Sequence, residues 1–340
     1  MTNHEGMHPV GSEPAWSESY YFNFVDPVTK IGMFTRMGFR PGDGWADALH
    51  VIYLEGTRIA FTYGRRSIGA DLTAYDGDLA AGDLRIEMLA PFARWQLTYS
   101  GPAQDIGDGA ILMERSKLRP EGWFKPATME MSLMFDCTSE PHYSPTNAAG
   151  TFGHFEQSGG VTGVIRLDER EWQVHGVGIR DKSWGPRDWG AGQRGDQQSG
   201  RGSNSLPFSA PADPSPFVNW FSMNFGEDIA LGGSCFRQPS GEIRGAGWML
   251  RDGSSVNLED VLITTTYRSG SILHDTVRLT AEVQDGESIE ILGRIINMCP
   301  TKVPMQGGAT FINEGLAEFE WGGRTGFGIA EHWHAVRIEK

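Results

Sequence analysis

Cysteine is scarce in this chain and widely scattered. Three residues, Cys137, Cys235 and Cys299, are spread over 340 positions. None forms a C-x-x-C pair, which excludes a disulfide framework and a zinc-ribbon spacing. No run approaches the roughly 18 apolar residues of a membrane-spanning helix. Residues Met1 to Ser19 also lack the basic start and apolar stretch of a signal peptide. A cytoplasmic protein with no stable membrane insertion is expected. Positive charge is short as well: 29 Lys+Arg stand against 43 Asp+Glu, a net of −14, and no basic run breaks the pattern. Such a balance repels phosphate backbones, so no nucleic-acid partner is expected. A G-x-S-x-G elbow, a P-loop and a G-x-G-x-x-G between strand and helix are all missing. Nucleotide and flavin chemistry therefore have no support, and no cofactor is expected.

Helical periodicity is scarce too, while glycine (45) and tryptophan (11) are plentiful. Short apolar runs alternate with turn signals. In the second half, Phe217–Phe225, Ile229–Arg237, Ile243–Leu250, Val256–Tyr267, Leu273–Val283, Ile289–Met298, Ala309–Phe319 and Gly326–Ile338 follow one another across Gly-, Asp- and Ser-rich breaks. That rhythm is the signature of an antiparallel meander, and closing such a sheet removes its edges. The first half repeats it less cleanly, with strands expected from Tyr20–Val25 through Trp172–Ile179 and including Ala110–Arg115. The fold class read from this pattern is all-β, in two consecutive antiparallel barrel or sandwich domains. The boundary is placed at the Asp168-Glu-Arg170 turn, giving domains 1–170 and 171–340. Residues 190–216, almost free of large apolar side chains, read as a long loop in the second domain.

Three constellations carry potential chemistry. The first, His175 to Trp189, packs Arg180-Asp181, Arg187-Asp188, Trp184, Trp189 and His175 into fifteen residues. Consecutive strand residues face opposite sides, so each Arg must meet a carboxylate from elsewhere. Charges beside aromatic faces suit a proton donor held in apolar surroundings. An ion-pair network that fixes the strand end is the structural alternative. The second is Gly153-His-Phe-Glu-Gln157, where His154 and Glu156 share one strand face and can act as acid and base. The third is Glu331-His-Trp-His334, where His332 and His334 share one face and Glu331 and Trp333 the other. An H-x-H strand invites a metal reading, with His154 and Glu156 as further ligands. It would need a second histidine motif beyond Lys340, and no metal is expected.

These three stretches, together with the aromatic opening Trp16 to Asp26, give the chain a family look. It resembles the hydroxyneurosporene synthase-like superfamily, the carotenoid hydratase group with its lipocalin-like relatives, and an uncharacterised bacterial branch within it. The resemblance implies two lipocalin-like domains enclosing an apolar pocket, and chemistry without an organic cofactor on isoprenoid- or polyketide-like molecules. No catalytic residue transfers by that resemblance; Asp181, Asp188 and the tryptophans carry over as motif members.

The expected function is a cofactor-independent lyase or isomerase that hydrates, dehydrates, isomerises or cyclises a hydrophobic terpenoid- or steroid-like substrate. Protonating an unactivated alkene needs a carboxyl group kept protonated by burial. Aromatic faces, Trp above all, stabilise the carbocation that forms. The catalytic candidates are Asp181, Asp188, Glu156, His154 and His175. The substrate-binding candidates are Trp184, Trp189, Trp220, His332 and Trp333. The rival reading is a noncatalytic carrier of a lipophilic ligand. The partner in either case is a hydrophobic small molecule, with a homodimer left open.

Overall fold

Alternation of apolar and polar side chains along nearly every strand dictates sheets with one face turned to a core. The computed structural model describes residues 4–12, 15–144, 152–187, 208–209, 213–238, 240–284, 286–305 and 308–338. It is all-β: among the described residues the only helical segments are three short 3-10 turns. Two compact units form. One comprises Met1–Leu54, Ala60–Asp105 and Lys125–Arg187; the other comprises Glu55–Ile59, Ile106–Phe124 and Asp188–Lys340.

The first sheet contains β1 (Trp16–Val25), β2 (Gly32–Arg40), β3 (Trp45–Tyr53), β4 (Ile59–Ser67), β5 (Leu79–Ala81), β6 (Leu84–Ala90), β7 (Arg94–Ile106), β8 (Lys125–Cys137), β9 (His142–Tyr143), β10 (Gly153–Leu167) and β11 (Arg170–Pro186). Its order is β4-β3-β2-β1-β11-β10-β8-β7-β6-β5, and an additional β4–β7 pairing bends the sheet back on itself. Phe22, Phe24, Met33, Met37, Phe39, Trp95, Phe135 and Phe155 fill its interior. Each such side chain contributes about 1.5–3 kcal/mol on burial.

The second sheet contains β12 (Phe208–Ser209), β13 (Val218–Asn224), β14 (Ile229–Arg237), β15 (Ile243–Arg251), β16 (Ser254–Tyr267), β17 (His274–Val283), β18 (Ser288–Met305), β19 (Gly308–Trp321) and β20 (Arg324–Ile338). Strands β13 to β20 run as a meander, and β20 pairs with both β13 and β19, closing a barrel of eight strands. Phe221, Leu231, Met249, Leu279, Ile291 and Phe319 are among its core residues.

Two features differ from the sequence reading. Strand β11 pairs with both β1 and β10, so it belongs to the first sheet. The Asp168 turn joins two strands of one hairpin, with Asp168 in the left-handed region (φ 52°) that tight hairpins require. The expected strand Ala110–Arg115 is instead a 3-10 turn, Gly109–Met113, whose start is capped by the Asp108 carboxylate accepting from Ala110 N at 3.0 Å. The local Asx cap outcompetes the weak strand pattern.

Gly178 of the central motif has a structural task. A Cβ there would lie 1.8 Å from the Asn23 carbonyl oxygen of β1. Only glycine lets β11 approach β1 this closely.

Candidate functional site

Strand parity divides the central motif between two faces of β11. Arg180, Lys182 and Trp184 point into the first barrel. Asp181 and Ser183 point to the opposite face of the same sheet. The register aligns that opposite face into two cross-strand rows. Glu156, Asp181, Tyr21, Arg36 and Leu49 form one; His154, Ser183, Ser19, Gly38 and Asp47 form the next.

His154 is the hinge between these rows. Its Nε2 lies 2.9 Å from Glu156 Oε1, and its Nδ1 lies 3.8 Å from Asp181 Oδ1. Burial disfavours the imidazolium, yet Asp181 and Glu156 together raise the His154 pKa above its ordinary value. Burial raises the Asp181 pKa, opposed by His154, Arg187 and Arg36 and reinforced by Glu156. One imidazole and two carboxyls thus meet at a partly buried position. Ser19 Oγ and Ser183 Oγ are 2.8 Å apart, and Arg187 Nη2 donates to Ser183 Oγ at 3.0 Å.

Beside this group runs a cationic and aromatic surround. Arg36 and Arg40 pair with Asp47 at 3.4 Å each. The Arg36 side chain passes over Gly38, where a Cβ would sit 2.4 Å from its Nη1. Burial pulls the Arg36 pKa down to about 10, opposed by Asp47. Tyr21 stacks on Phe34 with centroids 6.3 Å apart, and Phe34 lies 5.9 Å from Tyr53. All three rings are buried and lie on the Asp181 side of the sheet. Sequence reasoning missed this aromatic strip. The odd–even parity of β1 to β3, propagated across the register, is the signal that finds it.

The other predicted residues scatter. Trp184 is buried on the barrel-interior face, stacked on His8 at 4.1 Å and His4 at 5.0 Å, so it does not wall Asp181. His175 is exposed and six residues down β11, roughly 20 Å at about 3.3 Å per residue. Its amide donates to Asp26 Oδ2 at 3.2 Å. Asp188 and Trp189 lie outside the described residues, as does most of the 190–216 loop.

In the second unit, Trp220 and Trp333 flank Glu331, and Trp333 Nε1 donates to Glu331 Oε1. Glu331 stands opposite Glu314 in the β19–β20 register, and both are buried. His332 faces the other way, into the barrel, stacked on His274 at 3.9 Å. His274 Nε2 donates to the Ala330 carbonyl at 2.9 Å, which leaves Nδ1 of that neutral ring as an acceptor. Burial pulls the His274 pKa to about 3 and lowers His332 well below its ordinary value. Among the described residues, no three His, Cys, Asp or Glu side chains are placed to hold a metal ion.

The barrel interior of the first unit also holds charges that the sequence did not reveal as partners. Arg180 pairs with Glu5 at 2.6 Å, and Lys182 pairs with Glu18; all four side chains are inaccessible. Three open grooves on outer strand surfaces are lined around Glu130 and Arg166, around Arg278 and Glu318, and around Trp321 and Arg324. None of the predicted site residues lines them. No helix among the described residues is long and apolar enough to cross a membrane.

The architecture defines a class, a lipocalin-like β protein of two sheets, and in this chain one sheet carries an acid–imidazole–acid cluster. Solved structures that share the fold cover nearly the whole chain. An AttH protein of Nitrosomonas europaea aligns with a TM-score of 0.60 at 13% identity, over 99% of this chain and 96% of its own. CghA, solved with Sch210972, aligns with a TM-score of 0.54 at 11% identity, over 96% and 89%. Kievitone hydratase of Nectria haematococca aligns with a TM-score of 0.51 at 8% identity, over 95% and 89%. These identities establish a shared fold. No curated protein sequence matches the chain. The chain belongs to the DUF7064 family, a domain of unknown function, whose profile matches residues 1–336.

Proposed function

We propose that the protein is a cofactor-independent acid/base enzyme that hydrates, dehydrates, isomerises or cyclises a hydrophobic terpenoid- or steroid-like substrate. One observation carries this reading: His154 bridges Glu156 and Asp181, with Asp181 held toward its protonated form. The hydroxyneurosporene synthase-like resemblance and the fold shared with a protein named as a hydratase support it.

In the hydration direction, Asp181 delivers its proton to one alkene carbon. The positive charge that develops on the other carbon faces the Tyr21, Phe34 and Tyr53 rings. Water adds there, and its surplus proton passes to His154 or Glu156. The His154 bridge then returns a proton to Asp181, so the cycle consumes one alkene and one water and yields one alcohol. Dehydration is the same sequence reversed. Asp188 stays in this proposal as a second acid.

The test is incubation of the purified protein with a panel of terpenoids and sterols, analysed by mass spectrometry. Asp181→Asn, Asp188→Asn and Glu156→Gln are run in parallel, with thermal midpoints recorded for each. Turnover that disappears in Asp181→Asn while its midpoint stays near wild type supports the proposal. Ligand recovered unchanged at stoichiometric occupancy in the wild type establishes the carrier instead.

A further inference from the structure

We infer that Arg180 is a carboxylate receptor which the protein fills with its own Glu5, and that the segment carrying Glu5 gives way to an external monocarboxylate with an apolar body. This site lies inside the first barrel, on the face of β11 opposite Asp181, and does not depend on the acid–imidazole–acid cluster.

The receptor is built without Glu5. The Arg180 guanidinium lies 5.1 Å from the ring centroids of both Trp95 and Phe155. Its Nε and Nη2 donate to Gln157 Oε1, the former at 3.0 Å. Gln157 is itself fixed, donating through Nε2 to the Phe92 carbonyl at 3.0 Å and the Ser139 carbonyl at 2.8 Å. Its oxygen is therefore aimed at the guanidinium. What remains is a place for one carboxylate oxygen, reached by Arg180 Nη2 at 2.6 Å and by the Phe92 amide at 2.6 Å. Glu5 Oε1 occupies it. A completely buried guanidinium demands such an anion, because an unpaired charge there is strongly destabilising.

The anion comes from an unusual source. Residues 4–12 form neither strand nor helix and precede β1. They are held by Tyr20 Oη donating to the Glu5 carbonyl at 3.0 Å, by Met7 N donating to Asp76 at 2.6 Å, and by His8 on Glu18 at 2.9 Å. Irregular segments ahead of a first strand open at lower free energy than the strands of a closed sheet. Met7 packs into the same apolar cluster as Phe22, Phe135 and Trp95. Withdrawal of residues 4–12 therefore uncovers apolar walls together with a cation. Lys182 is already neutralised by Glu18, so Arg180 is left with one uncompensated charge. One carboxylate on an apolar body matches that balance.

The experiment is calorimetric titration of the full chain, wild type and Glu5→Ala, with dodecanoate and with uncharged dodecanol. Removing the internal competitor should tighten dodecanoate binding by about ten-fold or more, and dodecanol should bind neither form. In the wild type, dodecanoate should accelerate hydrogen exchange of the amides in residues 4–12. Equal dodecanoate affinity in the two forms, no binding to either, or dodecanol binding as tightly overturns the inference. If Glu5→Ala is too unstable to titrate, acetate is compared with chloride at equal ionic strength. Recovery of the thermal midpoint by acetate supports the receptor, and no recovery overturns it.

Discussion

Arg180 and Asp181 are adjacent in the chain and serve opposite faces of one strand. The guanidinium is sealed in the first barrel against Glu5 at 2.6 Å. The carboxylate meets His154 at 3.8 Å on the other side of the sheet. The same dipeptide therefore sends a buried ion pair to one face and a carboxyl beside His154 to the other, and substitutions at the two positions should have different signatures.

Under the proposed function the signature at Asp181 is functional and pH-dependent. Burial raises its pKa, so the folded chain holds this proton more tightly than the unfolded chain. Stability from that proton is complete below the ordinary carboxylate range and is lost as pH rises through the raised value. Turnover should fall in the same direction as the acid form is depleted. Asp181→Asn should lower kcat by about 10²- to 10⁴-fold and abolish that limb of the kcat–pH profile. A profile that is unchanged in shape would remove Asp181 from the chemistry.

Inside the barrel the signature is stability. Glu18→Leu leaves Lys182 buried without its carboxylate, and urea unfolding should show a loss of about 3–5 kcal/mol. Burial lowers the Lys182 pKa while Glu18 opposes that shift, so part of the loss is relieved by deprotonation. Glu18→Leu with Lys182→Met should cost less than Glu18→Leu alone. A double variant weaker than the single would show that the pair is not mutually compensating.

Acid sensitivity should trace in part to His50. The ring is fully buried, stacks on Tyr99 at 5.6 Å, and neither nitrogen has a hydrogen-bond partner among the described residues. Burial pulls its pKa from 6.5 to about 3. As pH falls below 6.5, the unfolded imidazole gains a proton that the folded one refuses, so stability drops between there and about 3. The slope due to one such group is about 1.4 kcal/mol per pH unit. His50→Phe should fold, and its stability should depend less steeply on pH by that amount over pH 4–6. Parallel curves for the two proteins would contradict this account.

Gly178→Ala tests the backbone contact within the motif. The added methyl collides with the Asn23 carbonyl oxygen at 1.8 Å, so β1 and β11 must move apart to admit it. A loss of about 1–3 kcal/mol or more is expected in chemical denaturation. Gly160→Ala is the control, since nothing lies within 4 Å of a Cβ there. Equal stabilities would mean that the strands can separate freely.

The fold was largely legible because barrel strands alternate with period two and turns carry their own residues. The meander from Phe217 to Ile338 is the clearest case. The shared face of His154 and Glu156 was legible for the same reason, as was the rule that Arg180 must find a partner from elsewhere. The wall proposed from Trp184 was not, since that ring is one residue out of phase with Asp181 and turns inward. Ala110–Arg115 misled because a short apolar run, Ala110 to Met113, cannot tell a strand from a capped turn.

By itself the amino-acid order determined which side chains share a face, because strand geometry converts spacing into direction. Which strands lie side by side was decided only by the closed sheet. Glu5 meets Arg180 across 175 positions, and Tyr21 enters the row of Asp181 through the β1–β11 register. Such meetings depend on hydrogen-bond registry and burial of charge between distant segments, and neither quantity is encoded in local periodicity.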